Sequence, residues 1–347
     1  MDNILITGGS GFIGQHLVKR LLREESRYKI SIIDNVVSNI DKNISYQYYS
    51  DNVVRKHNSK GSSQKNRSEI SFYNADIRNK ESILKIFHDQ KVDTCIHLAA
   101  KISVEDSIKN PDETIDTNIK GTLNILEACS RNNIKKFVFA SSAAVYGKPK
   151  FLPISEHHVA LDEVLSPYGA SKIAAEALVS SYRKIKKIQN AISLRFFNVY
   201  GENQTDEYAG VITKFAMRLS KGLPPIIYGN GKQTRDFIFV TDVIDAIMMA
   251  AEANKNISSL NVFNIGTGIP IKIDDLARRM IRIFGLELQP IYQKAKKGDV
   301  MDSYADIKKS KEILKFVAHK DFDEGLREII DWQTLKKSRQ LFKQNLS

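Results

Sequence analysis

Apolar and polar positions alternate in blocks along the first half of the chain. Short apolar runs are followed by segments in which apolar residues recur every three or four positions, as in amphipathic helices. Because strands and helices alternate in this way, we predict a parallel sheet with helices on both faces. The predicted strands are Asn3–Thr7, Lys29–Asp34, Ile70–Asn74, Thr94–Leu98, Lys136–Ala140 and Ile192–Phe197. The predicted helices are Phe12–Glu24, Asn79–Asp89, Asp112–Ser130 and Tyr168–Lys187.

The pattern changes at two places, and these changes suggest the domain organisation. From Asn35 to Glu69, Ser, Asn and Lys replace most aliphatic residues, so this connection is either a functional flap or poorly ordered. After Asn198, Pro and Gly punctuate a loop-rich stretch before strand and helix patterns resume. We predict a larger doubly wound α/β domain (1–197 with 234–268), a smaller C-terminal α/β domain (198–233 with 269–335) and a charged tail (336–347).

The composition favours a reducing, aqueous compartment. Cys95 and Cys129 lie in apolar stretches and are too few for a disulfide framework, which indicates buried reduced thiols. No apolar run approaches the roughly 20 residues that cross a bilayer, and the strand pattern at Asn3 leaves no room for a signal peptide. We therefore expect a cytoplasmic protein without a membrane partner.

The net charge of +12 raises the question of nucleic-acid binding. Lys and Arg do not cluster with aromatic residues, as they do in platforms that bind single strands. The charge is therefore interpreted as a solvated basic surface, or as a field that attracts small polyanions. We expect no nucleic-acid partner.

A glycine-rich turn joins the first predicted strand to the first predicted helix. Gly8, Gly11 and Gly14 permit a tight turn, let the backbone approach a pyrophosphate and let the helix pack closely on the sheet. The second strand ends at Asp34, 20 residues after Gly14, where a carboxylate can accept hydrogen bonds from ribose hydroxyls and repel a 2′-phosphate. The loop therefore predicts NAD rather than NADP; the alternative is an ordinary glycine-rich turn beside a surface aspartate.

Tyr168 and Lys172 are four residues apart in a predicted helix, so the phenol and the ammonium share one face. To act as a base near pH 7, a tyrosine must lower its pKa by about 3 units, which corresponds to about 4 kcal/mol. A neighbouring ammonium and an oxidised nicotinamide ring both favour the phenolate. The pair is therefore a candidate acid/base centre.

The Tyr-x-x-x-Lys spacing alone is not specific, because it recurs elsewhere in the chain. The surroundings distinguish Tyr168, since the strand before it ends in Ser141-Ser142 and another strand follows at Ile192. A serine hydroxyl at the carboxyl edge of a sheet can bind a sugar hydroxyl or the tyrosine oxygen. The other pairs are Tyr146/Lys150, Tyr182/Lys186, Tyr228/Lys232, Tyr292/Lys296 and Tyr304/Lys308.

Ordered motifs over residues 1–332 resemble the extended short-chain dehydrogenase/reductase family. Within it, the chain is similar to UDP-glucose 4-epimerases and their relatives that accept UDP-N-acetylglucosamine. The resemblance implies a Rossmann-type domain that holds NAD, a smaller substrate domain that closes over a nucleotide sugar, and no metal. The motifs are TGGSGFIG (7–14), DIR (76–78), HLAA (97–100), SSAAVYG (141–147), YGASK (168–172), RFFNVYG (195–201) and QTRDFIFVTDV (233–243).

The resemblance also implies a role for individual residues. The expected catalytic residues are Ser142, Tyr168 and Lys172, with Lys172 also binding the nicotinamide ribose. The expected NAD contacts are Gly8, Gly11, Phe12, Ile13, Gly14, Asp34, Asn35, Asp76, Ile77, Leu98, Ala99, Ala100 and Phe197. The expected substrate contacts, besides Ser142 and Tyr168, are Asn198, Val211, Arg235, Lys296 and Ser303.

Four positions distinguish this chain from some or most relatives in the family. Sugar 4,6-dehydratases resemble this chain but have an Asp-Glu pair where Ala143 and Ala144 stand here, and UDP-glucuronate decarboxylases keep a glutamate there. Lys296 replaces an arginine that usually binds phosphate, and lysine cannot do so bidentately. Ser303 stands where epimerases restricted to unacetylated sugars have tyrosine, so space for an N-acetyl group is expected unless another side chain fills it.

The sequence thus predicts an NAD-dependent 4-epimerase of a UDP-hexose that acts through a transient 4-keto sugar. UDP-glucuronate 4-epimerisation, and less so 4,6-dehydration, stay open as alternatives. A catalytically silent nucleotide-binding protein with the same scaffold is the alternative from another class. The resemblance also implies a homodimer in which the helices Asp112–Ser130 and Tyr168–Lys187 pack against the same helices of the second subunit.

Overall fold

The computed structural model describes residues 2–24, 28–35, 46–50, 53–57, 70–159, 161–204, 209–253, 261–296 and 298–344. The strands are β1 (Asp2–Thr7), β2 (Tyr28–Asp34), β3 (Tyr46–Ser50), β4 (Val53–His57), β5 (Ile70–Asn74), β6 (Thr94–His97), β7 (Lys136–Ser142), β8 (Asn190–Phe196), β9 (Asn198–Tyr200), β10 (Ile226–Tyr228), β11 (Thr234–Phe239), β12 (Val262–Ile265), β13 (Pro270–Lys272), β14 (Ile291–Gln293) and β15 (Asp302–Ser303). The α-helices are α1 (Phe12–Arg23), α2 (Lys80–Asp89), α3 (Val104–Lys109), α4 (Pro111–Ile115), α5 (Thr122–Arg131), α6 (Pro167–Lys184), α7 (Val211–Leu219), α8 (Val240–Glu252), α9 (Ile273–Ile283) and α10 (Phe322–Gln344).

The large sheet has the order β12-β8-β7-β6-β1-β2-β5-β3-β4. The strands from β12 to β5 pair in parallel, which requires crossover connections that place helices on the faces. Successive residues of β1 pack on opposite faces, because Ile4 and Ile6 belong to one buried cluster and Leu5 to another. The predicted Rossmann-type, doubly wound α/β fold is confirmed.

Two strands lie within the segment for which no element was predicted. β3 and β4 pair as an antiparallel hairpin, and β3 extends the large sheet by parallel pairing with β5. The β3 sequence Tyr-Gln-Tyr-Tyr-Ser has the aromatic content of a strand, but polar flanks hide it from an apolar-periodicity criterion. The remainder of the 35–69 connection, apart from Asn35, lies outside the described residues.

A smaller sheet forms around β11, which pairs with β9, β13 and β15. β11 therefore does not join the large sheet, whereas β12, from the same predicted segment 234–268, does. Helix α8, between these two strands, packs against α1 and the large sheet. The chain thus crosses between the two sheets inside 234–268, and the domain boundaries as a whole stay a prediction.

The expected charged tail (336–347) is helical as far as Gln344, because α10 spans Phe322–Gln344, and its assignment as a separate tail stays a prediction. The sequence from Lys336 to Gln344 holds strong helix formers such as Leu, Lys, Arg and Gln and no Gly or Pro, so the helix has no reason to end earlier. Within the described part of the chain, no helix is both long and apolar enough to pass through a lipid bilayer.

The predicted helix Asp112–Ser130 is present, but its middle differs from a regular α-helix. α4 and α5 are joined by a π-helical segment, Asp116–Gly121, so the three form one continuous helical stretch. A π-turn accommodates one extra residue, which shifts the side chains after it around the helix axis. The buried side of this stretch therefore cannot be assigned from a constant 3.6-residue period.

The glycine turn after β1 depends on close backbone contacts. Gly8 has a φ of +74°, and a Cβ at this position would lie 2.7 Å from the Ala99 nitrogen. A Cβ at Gly14 would lie 2.2 Å from the Gly8 carbonyl oxygen, because the first turn of α1 packs directly on the loop. Only hydrogen fits at either position, so the spacing of these glycines is a packing requirement.

We therefore expect Gly14→Ala to lower the free energy of unfolding by about 3 kcal/mol, the upper range for overpacking against rigid backbone. The measurement is the urea midpoint at fixed slope. Gly210→Ala is the matched control, since its Cβ would meet nothing closer than Gln204 Oε1 at 3.7 Å. Equal midpoints for the two variants would contradict the packing argument.

Candidate active site

The predicted functional residues gather at the carboxyl ends of the parallel strands. The glycine turn follows β1, Asp34 ends β2, Leu98 follows β6, Ser142 ends β7 and Phe197 follows β8. Parallel strands end at one edge of the sheet, so residues far apart in sequence become neighbours there. This edge is the place where ligands bind in open α/β sheets.

The glycine turn is built to receive an anion. Helix α1 has Gly11 at its N-cap and no side chain that accepts a hydrogen bond from its first turn, so those N–H groups are left for a ligand. Asp34 Oδ2 accepts a hydrogen bond from the Ser10 nitrogen at 2.8 Å and fixes the turn to β2. The Ser10 hydroxyl is buried and has no hydrogen-bond partner in the described structure. A dinucleotide phosphate would fit these donors.

The other predicted cofactor contacts differ in how far their side chains are buried. Asp76 follows β5 and is bound by Arg78 (Nη2 to Oδ2, 2.6 Å); this hydrogen bond lowers the pKa of Asp76. Ile77 is buried, and a Cβ on Gly121 would lie 2.6 Å from its Cδ1. Asn35 is exposed just beyond β2, while the half-buried residues are Phe12, Ile13, Leu98, Ala99 and Ala100.

A buried chain of hydrogen bonds around His97 was not predicted. His97 Nδ1 lies 2.6 Å from Thr7 Oγ1, and His97 Nε2 lies 3.0 Å from Thr122 Oγ1. Because the Thr122 hydroxyl donates to the Asn118 carbonyl (2.6 Å), it must accept from Nε2–H, which leaves Nδ1 to accept from Thr7. Burial, with the charge of Lys172, lowers the pKa of His97 to about 3. His97 is therefore neutral.

Asn118 connects the π-helical segment to the catalytic helix α6. Its amide nitrogen donates to Ser171 Oγ (2.9 Å) and to the Lys101 carbonyl (2.9 Å), and its oxygen accepts from the Lys101 nitrogen (2.8 Å). Ser171 in turn donates to the Tyr168 carbonyl at 2.7 Å. Asn118 thus fixes the position of α6. Helical periodicity gave no signal for it, because Asn118 lies in the π-helical segment and other polar residues of the stretch, such as Thr122, are buried too.

Ser142, Tyr168 and Lys172 are brought together. Ser166 caps α6 by accepting from the Gly169 nitrogen (3.1 Å), so the helix begins immediately before Tyr168. Ser142 lies next to the Tyr168 phenol and lowers its pKa as a hydrogen-bonding neighbour does. Lys172 Nζ lies 6.0 Å from the centre of the Tyr168 ring and donates to the Ala140 carbonyl at 2.8 Å.

The pKa values of this group differ from the simple expectation for Tyr168. Burial raises the pKa of the Tyr168 phenol, and the hydrogen bond with Ser142 lowers it only in part. Burial lowers the pKa of Lys172 to about 8, against the opposing effect of Glu176. The lysine charge alone therefore does not produce the expected phenolate, because burial disfavours any charged form.

The predicted substrate contacts lie along the smaller sheet. Asn198, on β9, donates to the Asp236 carbonyl (3.0 Å), and Val211 is the first residue of α7. Arg235, on β11, is in register with Ser303 of β15 and forms an ion pair with Asp299. The alternative pairing of Arg235 with Asp236 or Asp242 is wrong: Asp236 binds Thr267, Gly268 and Ala305, and Asp242 binds the backbone at His319 and Lys320.

Lys296, a predicted substrate contact, and Phe197, a predicted NAD contact, lie in different surroundings. Lys296 is exposed and pairs with Glu105 of α3 (2.7 Å), with its ammonium 5.0 Å from the centre of the Tyr228 ring. Like Arg235, Lys296 therefore has a carboxylate partner within the protein that a phosphate would have to replace. Phe197, by contrast, is buried among apolar residues, with its ring centre 6.3 Å from that of Tyr146.

Comparison with known proteins agrees with this geometry. The NAD dependent epimerase/dehydratase family matches residues 4–266. A protein of Methanocaldococcus jannaschii described as a putative UDP-glucose 4-epimerase is 39% identical over 332 residues, which cover 95% of this chain and 97% of that protein.

Two solved structures extend the comparison. A UDP-glucose 4-epimerase of Thermotoga maritima with UDP-glucose has a TM-score of 0.83 and 31% identity, covering 97% of this chain and 99% of that one. A UDP-N-acetylglucosamine 4-epimerase of Methanobrevibacter ruminantium in complex with UDP-N-acetylmuramic acid has a TM-score of 0.82 and 32% identity, covering 96% and 99%.

The expected family and cofactor are therefore confirmed. The glycine turn follows β1, Asp34 ends β2, Ser142 ends β7, and Tyr168 and Lys172 lie on α6, while the roles of these residues stay predictions. This chain belongs to the NAD-dependent epimerase/dehydratase family.

Proposed function

We propose that this protein inverts the 4-hydroxyl-bearing carbon of a UDP-hexose, with UDP-glucose and UDP-N-acetylglucosamine as substrates. The observation that carries the proposal is the grouping of Ser142, Tyr168 and Lys172 at the carboxyl edge of the sheet, with the Lys172 ammonium 6.0 Å from the centre of the Tyr168 ring. The similar proteins described above are 4-epimerases of UDP-glucose and UDP-N-acetylglucosamine.

The residues at the site fit NAD. The uncapped start of α1, the unpartnered Ser10 hydroxyl and the glycine positions where a Cβ would collide suit a pyrophosphate against the backbone. Bound NAD supplies a hydride acceptor and the positive charge that the phenolate form of Tyr168 needs beyond Lys172. Asp34 would bind the adenosine ribose, and Lys172 the nicotinamide ribose.

The protein residues then have separate tasks. Tyr168 takes the proton of the sugar 4-hydroxyl as carbon 4 is oxidised, and returns it when carbon 4 is reduced on the opposite face. Ser142 holds the sugar hydroxyl and the phenol in line, which lowers the entropic part of the barrier. Arg235 and Lys296 would bind the diphosphate after releasing Asp299 and Glu105.

The side chains that follow Ser142 favour epimerisation over dehydration. Ala143 and Ala144 form a half-buried 3₁₀ turn directly after Ser142, so only methyl groups stand where elimination would need an acid and a base. Epimerisation needs one acid/base, which Tyr168 provides. UDP-glucuronate has the same 4-hydroxyl, so its 4-epimerisation stays the alternative reaction.

We also propose that the protein is a cytoplasmic homodimer. Cys95 and Cys129 are free and buried, as expected in a reducing compartment. The helical stretch 111–131 exposes 45% of Ile115 and 37% of Leu123, and the exposed residues of the neighbouring helix α6 before its last turn are Ala170 and Ala177. An apolar surface beside small residues allows two helices of one copy to pack closely on those of another.

Tyr168→Phe tests the mechanism. We expect kcat to fall by at least about 10²-fold, because general acid/base catalysis is removed, while bound NAD is retained. The measurements are conversion of UDP-glucose and the absorbance of protein-bound cofactor. Tyr182→Phe is the matched control, because Tyr182 and Lys186 have the same spacing. Unchanged turnover in Tyr168→Phe would remove Tyr168 from the mechanism, and absence of turnover in the wild type would favour a silent nucleotide-binding protein.

Ser303→Tyr tests the substrate range. Ser303 is half-buried and in register with Arg235, so a phenol there would fill space beside the expected sugar site. We expect kcat/KM for UDP-N-acetylglucosamine to fall more than about tenfold, as a steric clash of a few kcal/mol predicts, with UDP-glucose affected by less than about threefold. Parallel losses for both sugars would contradict the assignment.

Leu123→Glu tests the homodimer. We expect it to convert a dimer of 39.3 kDa subunits into monomers, because a charge would be buried in the helix-to-helix contact. Light scattering coupled to size exclusion measures the mass. Leu223→Glu is the control, since Leu223 is exposed to a similar extent (45%) outside these helices. A monomeric wild type would refute the proposal.

A further inference from the structure

Three charged side chains are buried together behind the candidate active site. Lys172 and Glu176 lie one turn apart on α6, and Arg195 lies on the adjacent strand β8. Their exposed fractions are 3%, 8% and 4%. Burying charges is costly unless each has a partner, so this group requires an explanation.

Glu176 is held in one position by its neighbours. Its carboxylate accepts from Arg195 Nε (2.9 Å) and Nη2 (2.6 Å), and Oε1 also accepts from Ser141 Oγ (2.5 Å). Arg195 is fixed in turn, because Nη1 donates to the Tyr146 hydroxyl and the Glu156 carbonyl, both at 2.9 Å. A bidentate pair anchored at both ends cannot reorient.

Apart from Glu176, the described residues around Lys172 include few groups that favour its charged form. Its ammonium donates to the Ala140 carbonyl and lies 4.9 Å from the centre of the Phe139 ring. His97, on β6, is neutral, and Tyr168 is a neutral phenol in the protein alone. In the part of the chain that the structure describes, Glu176 is the one carboxylate that acts on the pKa of Lys172.

We infer that Glu176 is a positioning residue, whose fixed carboxylate keeps the buried Lys172 ammonium charged and so sets the upper pH limit of the reaction. The inference rests on the proposed function, because the charge of Lys172 matters to turnover only if Tyr168 is the acid/base. Arg195 serves Glu176 rather than Lys172.

The direction of the effect follows from the charges. Burial lowers the pKa of Lys172 to about 8, and the negative charge of Glu176 opposes that shift. Turnover should therefore decline as the pH rises through about 8. Without the carboxylate the pKa of Lys172 falls further, so the decline should begin at lower pH.

The first experiment compares the pH dependence of kcat for wild type, Glu176→Gln and Glu176→Asp. We expect Glu176→Gln to move the alkaline limb down by about one pH unit, so that the ratio of kcat at pH 8 to that at pH 6.5 falls about fourfold. Glu176→Asp keeps the charge and should keep the limb in place, even if kcat is lower. Equal loss in both variants with unmoved limbs would mean a merely structural role and overturn the inference.

A double variant guards against failure of Glu176→Gln to fold, since that change leaves Arg195 buried without its anion. Replacing both members of a buried ion pair by uncharged side chains is commonly tolerated. Glu176→Gln combined with Arg195→Met should therefore fold and still show the acid-shifted limb, because Lys172 again lacks the carboxylate. A limb at the wild-type position in this variant would overturn the inference.

A second readout does not depend on enzyme activity. Lys172 has a pKa near 8 when folded and an ordinary one of about 10.4 when unfolded, so the unfolded chain binds more protons between these values and stability rises with pH there. Subtracting the stability of Lys172→Met from that of its parent isolates this rise. We expect the rise to begin lower in the Glu176→Gln background than in the wild-type background.

This measurement separates the two proposals. If the wild type has no epimerase activity but the rise begins lower in the Glu176→Gln background, the proposed function fails and the interaction of Glu176 with Lys172 stands. If the rise begins at the same pH in both backgrounds, the inference fails whatever the enzyme activity.

Discussion

The active site depends on keeping a cation charged where water is excluded. The Lys172 ammonium is buried beside the Tyr168 phenol, and burial acts against the charged form of both groups. A hydrogen bond from the lysine to the Ala140 carbonyl and the carboxylate of Glu176 offset that cost for the ammonium. For the phenol, Ser142 is the one neighbour among the described residues that offsets burial, and it does so only in part. In the proposed mechanism, bound NAD would supply the further positive charge that the phenolate form of Tyr168 needs.

The neutral residues around this centre serve its geometry. His97 is held between Thr7 and Thr122 as a neutral ring, so it adds no competing charge next to Lys172. Asn118 ties α6 to the π-helical segment through Ser171. The same chain of contacts fixes the turn after β6, because the Ala99 nitrogen donates to Thr7 Oγ1 at 3.2 Å. The strand end before the glycine turn and helix α6 are thus linked through one buried hydrogen-bond network, as preorganised sites require.

Much of the site was predictable because its residues follow rules that act locally. The glycine turn, the strand end at Asp34 and the Tyr168–Lys172 pair each depend on spacing within one element. Asn118 was missed because its partner Ser171 is distant in sequence and because Asn118 lies in a π-helical segment that breaks helical periodicity. Glu176 was missed because its partner Arg195 lies on another element. The hairpin β3–β4 was missed because β3 is aromatic and polar and because in β4 only Val53 and Val54 are aliphatic, with Arg, Lys and His after them.

The sequence by itself determined the α/β alternation, the doubly wound sheet, the dinucleotide turn and the family, since periodicity and motif spacing are properties of a single chain segment. Only the tertiary structure decided which charges meet. It paired Arg235 with Asp299, Lys296 with Glu105 and Glu176 with Arg195, and it placed β11 outside the large sheet. The physical reason is that an electrostatic interaction depends on distance and burial in space, and neither quantity can be read from separation along the chain.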